Sequence, residues 1–294
     1  MTHTLAAGST PQAAFAGLPG KIGVDRRPLT NMSIFFAGPP GAGKTTTLST
    51  IPDSFGFNCD GSSINHANAR AQVFTPSNWD ETLQAKNALI QLAAAGKPRP
   101  KIVWMDSVAG ALSMLDRWVP ANAKSLGISA ENKSAFRELH GPAAWDASYG
   151  QIARFVDDLR SAGYGVILAG HVINQVIPLG DDRSVYKPDF TFGAGLWKRL
   201  YWKFEMVPVF VVRHGVERVT TYKKLTQRDG SIKEIPQVSD NPVRQHWIVF
   251  DDPAYTEIAK ARVPLGSIQL SLDTPWDDFV AAYTAATQEK SNDD

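Results

Sequence analysis

Residues Gly38-Pro39-Pro40-Gly41-Ala42-Gly43-Lys44-Thr45 follow the spacing G-x-x-x-x-G-K-[ST]. Glycine at 38, 41 and 43 lets backbone N–H groups converge on an anion with no Cβ in the way. A helix opening at Lys44 adds the positive end of its dipole to that attraction. The Lys44 ammonium would reach the β- and γ-phosphate oxygens of a nucleoside triphosphate. The Thr45 hydroxyl would ligate magnesium, and Thr46 closes the cradle. Binding of ATP with Mg2+ is the chemistry these residues imply. A Gly-rich turn without a nucleotide is the alternative; an apolar strand immediately before the loop and a helix-compatible TTTLST after it argue against that.

Such a cradle needs an acidic residue at the end of a neighbouring strand to hold the metal. Lys101–Asp106 (KIVWMD) supplies apolar residues and then an aspartate. Asp106 is therefore the second candidate metal residue, with Ser107 as a supporting hydrogen-bonder. It could also cap the following helix, and the two roles are compatible.

The elements that must position these groups are legible as alternating strands and helices. Ser33–Ala37, Ser54–Cys59, Lys101–Met105 and Gly165–Ala169 read as buried strands, and Lys44–Thr50, Asn78–Ala95 and Pro142–Ala162 as helices, with Ser77 as cap of the second. Beyond residue 200 the texture turns β-rich. Val207–Arg213 and Arg218–Leu225 read as a hairpin about a turn at Gly215, His246–Phe250 as a further strand, and Thr274-Pro275-Trp276 as the start of a last helix. This pattern predicts an α/β fold: a mainly parallel central sheet with helices on both faces and an antiparallel edge. Three parts are expected: a flexible arm over 1–30, an ATPase core over 31–250, and a C-terminal extension over 251–294 ending in an acidic tail. Residues 120–144 carry no motif.

Taken in order, GPPGAGKTT, KIVWMDS and VILAGH resemble the RecA-like P-loop ATPases of bacteriophages, in particular the compact nucleotide-binding proteins of single-strand annealing. The resemblance covers roughly residues 33–225. It implies ATP hydrolysis, assembly on single-stranded DNA, a role in recombination or repair, and a host-cell cytoplasmic setting. In RecA-like enzymes the water-polarising carboxylate follows the strand after the phosphate-loop helix, which points to Asp60 as general base; a turn aspartate before Gly61 is the competing role. The usual acidic pair there is reduced to Asp60-Gly61. A polar residue at the tip of a central strand senses the γ-phosphate in the family, and His171 stands at that place. A Lys or Arg from the adjacent subunit completes the family's site. Lys223 and Lys224 are the candidates, with Arg228 behind them, against the simpler role of an exposed basic strand end. A homo-oligomer and a single-strand-binding protein are the partners so implied. Enzymes of the AAA+ type carry a glutamate directly after the strand-end aspartate, so Ser107 argues against that branch. A nucleotide-controlled scaffold or loader, a helicase-like motor and a small-molecule kinase are the competing functions.

Single-strand binding combines cations that follow phosphates with aromatics on which bases stack. Arg183 and Lys187, then Trp197, Lys198, Arg199 and Lys203 within GLWKRLYWKF, have that composition. At helical spacing, however, Leu196, Leu200 and Phe204 form an apolar face, and the cations are then merely solvated. Residues 172–228 hold ten Lys/Arg against five Asp/Glu, and 251–294 hold three against nine, although the whole chain is formally +1. The first balance permits a polyanion-facing surface. One cysteine excludes an internal disulfide and a Cys-rich zinc site. No apolar run approaches the ~20 residues of a membrane span, and no secretory signal is evident. A cytoplasmic protein without membrane partners is the expectation.

Overall fold

A computed structural model of the chain describes residues 27–61, 64, 66–128, 136–180, 183–226 and 232–289. In chain order its elements are β1 (Ser33–Gly38), α1 (Lys44–Ser49), β2 (Ser54–Asn58), β3 (Gln72–Phe74), α2 (Trp79–Ala94), β4 (Ile102–Asp106), α3 (Val108–Ala121) and α4 (Phe136–Ser161). Then come β5 (Gly165–Gly180), β6 (Arg183–Phe190), α5 (Ala194–Leu200), β7 (Val209–Thr226), β8 (Ile232–Val249), β9 (Ile268–Leu270) and α6 (Pro275–Glu289). Most of the expected 1–30 arm, and the last residues of the acidic tail, lie outside the described residues.

The sheet runs β3-β2-β4-β5-β1-β7-β8-β9, with β6 paired to β5. Neighbours from β3 to β7 are parallel. The pairs β7–β8, β8–β9 and β5–β6 are antiparallel. This is the mainly parallel α/β architecture with an antiparallel edge that the sequence predicts.

Successive side chains of a strand point to opposite faces, and the core divides on that rule. Phe35, Val103, Met105, Val166 and Leu168 enter one apolar layer, covered by α2, α3, α4 and α5. Ile34, Phe36, Trp104, Ile167 and Ala169 enter the other, covered by α1 and α6 through Leu48, Trp276 and Phe279. Because both faces are covered, the central strands read as continuous apolar runs.

Two local expectations are corrected. Asn78, one residue later than Ser77, caps α2: its side chain accepts from Glu81 N at 2.9 Å, while Glu81 accepts from Ser77 N at 2.8 Å. The first bond satisfies an N–H that helix geometry leaves open, and the second ties down the residue before the cap. The second correction concerns Gly215, which is no turn; it sits within the ladder opposite Val243, and β7 continues to Thr226. Its last pair with β8 is Thr226 opposite Ile232. The resulting ribbon extends roughly 40 Å beyond Arg213 at the usual rise per residue.

At the amino end of β1, buried Glu205 accepts from Ser33 N at 2.7 Å and pairs with Arg160 at 3.2 Å. Arg27 and Arg262 lie 3.7 and 3.9 Å away. Deleting one partner of a buried pair costs about 3–5 kcal/mol. Glu205→Ala is therefore expected to lose about 3 kcal/mol of unfolding free energy by urea titration, because it takes the acceptor from a strand N–H and the carboxylate from Arg160.

Candidate functional site

β1 ends at Gly38 and the loop 39–43 leads into α1. The Lys44 side chain folds back into the loop, with Nζ donating to Gly38 O at 2.7 Å and Pro39 O at 2.9 Å. Burial pulls its pKa down to about 8, against the attraction of Asp106 and Asp60. An ammonium so desolvated gains from an incoming polyanion.

β5 lies between β1 and β4, and these two outer strands end on one edge, level with His171 on the longer β5. Gly38 is in register with His171, and Met105 with Leu168. This brings the sequence-predicted groups Lys44, Thr45, Asp60, Asp106 and His171 together. Thr45 Oγ1 donates to Asp106 Oδ2 at 2.5 Å. Asp106 is buried, which raises its carboxyl pKa above the ordinary value against the Thr45 hydrogen bond. Two hard oxygen donors side by side, one a carboxylate short of solvation, suit Mg2+, which takes one or two protein oxygens and keeps phosphate and water for the rest. Thr45 and Asp106 are thus the residues that would hold it.

Asp60 arrives from the end of β2, the strand next to β4. Ser107 Oγ donates to Asp60 Oδ1 at 2.8 Å, and His171 Nε2 stands 3.7 Å from Asp60 Oδ2. His171 first, and Ser107 after it, hold the Asp60 carboxyl below its ordinary pKa against partial burial. On its other side His171 Nδ1 lies 3.3 Å from Lys44 Nζ. A chain Lys44–His171–Asp60 therefore borders the phosphate cradle. Cys59, next to Asp60, is buried and its thiol is pushed upward by desolvation, so it stays protonated. Gly110 lets α3 approach this corner: a Cβ there would lie 2.3 Å from Asp60 Oδ1.

The sequence matches the family described as AAA domain over residues 30–191, more than half of its length. The chain belongs to the AAA domain family. No curated protein matches it. Membership makes the fold a P-loop NTPase and implies nucleotide binding at the cradle. It also corrects the inference from Ser107. Serine follows the strand-end Asp106 in this AAA domain, and it hydrogen-bonds Asp60.

Other predicted residues lie away from the cradle. Lys223 and Lys224 sit on the exposed ribbon, roughly 45 Å along β7 from Val209, the partner of Ala37. Lys224 pairs with Glu234 at 3.5 Å. Neither contributes to the site of its own chain, and Arg228 lies outside the described residues. Trp197 is half-buried against Phe190 and Phe35, with ring centroids at 4.3 and 5.0 Å. It packs the core and is not displayed as a stacking platform. The apolar helical face is what forms: Leu196, Leu200 and Phe204 are buried. Arg199 pairs with Asp146, and Lys203 with Asp157, each at 2.6 Å. Lys187 pairs with Glu257 at 2.9 Å, and Lys198 is exposed. The side chain of Arg183 lies outside the described residues.

Two residues near the cradle had no motif to announce them. Arg244 Nη2 donates to Gly41 O at 3.0 Å, and His246 Nδ1 lies 3.1 Å from Ala42 O. No helix among the described residues is long and apolar enough to cross a membrane.

Proposed function

We propose that the protein is a RecA-like ATPase that hydrolyses ATP with Mg2+ and acts on single-stranded DNA in phage-type recombination, annealing or repair. The observation carrying the hydrolytic part is the Asp60 carboxylate, held ionised by His171 and Ser107 at the mouth of the Lys44 cradle. Lys44 and the loop N–H groups hold the β- and γ-phosphates. Asp60 accepts a hydrogen bond from the attacking water and takes its proton as the water oxygen bonds to the γ-phosphorus. The bond from that phosphorus to the β–γ bridging oxygen breaks, leaving ADP and phosphate. His171, between Lys44 and Asp60, reports the γ-phosphate to the base. Mg2+, when bound, neutralises phosphate charge.

The DNA part is supported by the order of the three motifs and by the basic balance of residues 172–228. In the same proposal, Lys223 or Lys224 reaches the γ-phosphate of a neighbouring copy, and a single-strand-binding protein is a further partner. The ribbon's length is compatible with a reach in trans.

A second possibility follows from a cleft of about 620 Å³ that opens beside Asp60, lined among others by Asn78, Met114, Arg117 and Trp118. A small molecule bound there would meet the site at Asp60 and could take the phosphoryl group in place of water.

Phosphate release and ADP formation should be followed with Mg2+, with and without single-stranded DNA. DNA-stimulated release of phosphate equal to ADP supports the first proposal. ADP formed only with an added nucleoside, and no free phosphate, supports the second. Tight binding without turnover in any condition leaves a nucleotide-controlled scaffold.

A further inference from the structure

The phosphate loop is braced from outside by the root of the long ribbon. Arg244 and His246 are two residues apart on β8 and share one of its faces. Their acceptors, Gly41 O and Ala42 O, are consecutive carbonyls of the loop. A carbonyl only accepts, so the His246 proton must sit on Nδ1. In a planar trans peptide the C=O and the next N–H point to opposite sides. Fixing these two carbonyls toward β8 therefore turns the N–H groups of Ala42 and Gly43 toward the loop interior, where phosphate would lie. The Ala42 N–H already reaches inward to Pro39 O at 3.3 Å. The glycines have a second reason to be glycine here. Beyond its φ of +103°, Gly43 could not carry a Cβ without bringing it to 3.2 Å from His246 Nδ1.

The same ribbon face continues outward. In the ladder Arg244 pairs with His214 and His246 with Val212, followed on that face by Val216–Pro242, Arg218–Asp240, Thr220–Val238 and Tyr222–Pro236. The Arg218–Asp240 ion pair at 3.1 Å fits this facing. Val216, Val238 and Tyr222 are 60–68% exposed. A displacement of the loop on filling with phosphate must move these two donors or break their bonds, and they are part of the ribbon.

We propose that Arg244 and His246 are positioning residues that set the phosphate loop for the nucleotide and couple its occupancy to the β7–β8 ribbon. This rests on the nucleotide-binding reading of the cradle. A hydrogen bond from a charged donor has a net worth of roughly tenfold in an equilibrium constant. Removing both donors is thus expected to weaken Mg-ATP binding by about tenfold or more.

Calorimetry with Mg-ATP should be run on the wild type, Arg244→Ala/His246→Ala, Arg244→Lys and His246→Asn, with Arg218→Ala as a control on the same face. Hydrogen exchange of peptides covering 209–226 and 232–249 should be followed with and without nucleotide. The double variant is expected to bind weakly, the lysine and asparagine variants to recover part of the affinity, and Arg218→Ala to match the wild type. Nucleotide should slow ribbon exchange in the wild type and not in the double variant. Unchanged affinity in the double variant, or wild-type ribbon exchange indifferent to bound nucleotide, overturns the proposal while leaving the nucleotide site intact. The wild-type exchange result stands even if a variant fails to fold. A wild type that binds no nucleotide overturns the cradle assignment itself.

Discussion

Lys44→Ala is expected to lower kcat/KM for ATP by about 10²–10³-fold or more, the effect of deleting one preorganised charge donor from a phosphoryl-transfer site. The reason is specific to this loop. The ammonium is buried, bonded to Gly38 O and Pro39 O, and its pKa is drawn down to about 8. Phosphate oxygens replace those carbonyls and favour the charged form, so binding raises that pKa. The sign follows. Well below pH 8 the free protein already carries the proton. Above about pH 8 binding must take one up, and affinity falls by up to about tenfold per pH unit. Calorimetry in buffers of different ionisation enthalpy counts that proton from neutral pH to about pH 9. Lys44→Ala should show neither the uptake nor the slope. An affinity that stays flat across this range, with no proton taken up, would contradict the placement of Lys44 against the phosphates.

What could be read from the sequence was local. The loop from Gly38 to Thr45 is one contiguous stretch, and its chemistry depends on little beyond its own backbone. Asp106 was legible because a buried strand followed by an acid is a pattern in one segment. Asp60 and His171 could be singled out only through resemblance, since their meeting depends on strand order. With β5 inserted between β1 and β4, His171 comes level with Gly38, and Asp60 reaches Ser107 from β2. Arg244 and His246 were out of reach for the same reason carried further: about 200 residues of chain separate them from the loop, and only the register of β8 beside β7 places them. Trp197 misled for a physical reason. An aromatic flanked by cations looks alike whether it faces solvent or, as here, closes a ring cluster with Phe35 and Phe190 while its neighbours pair with helix carboxylates. Gly215 misled as well, because a glycine between two β-rich runs suits a turn and also suits an extended ladder position.

Asp60→Asn is expected to separate binding from chemistry. The amide keeps the shape and can still accept from Ser107, so the corner between β2 and α3 stays packed. It cannot accept a proton. General-base loss lowers turnover by about 10²–10⁴-fold, while the affinity for Mg-ATP should remain within a few-fold of wild type. Asp106→Asn should behave differently. It removes the carboxylate that receives the Thr45 hydroxyl and would hold the metal, so it should raise the Mg2+ concentration needed for binding. Single-turnover hydrolysis beside equilibrium binding, across a magnesium titration, distinguishes the two. Because His171 and Ser107 hold the Asp60 carboxyl below its ordinary pKa, it stays ionised across the neutral range, and no rise in turnover there should trace to its titration. Should Asp60→Asn turn over at the wild-type rate, the water must be oriented by another group, and the cleft beside Asp60 would regain weight as the place of an acceptor. Should it fail to bind nucleotide at all, the carboxylate would be part of the scaffold of the cradle, which its hydrogen bond to Ser107 and its distance from Lys44 through His171 argue against.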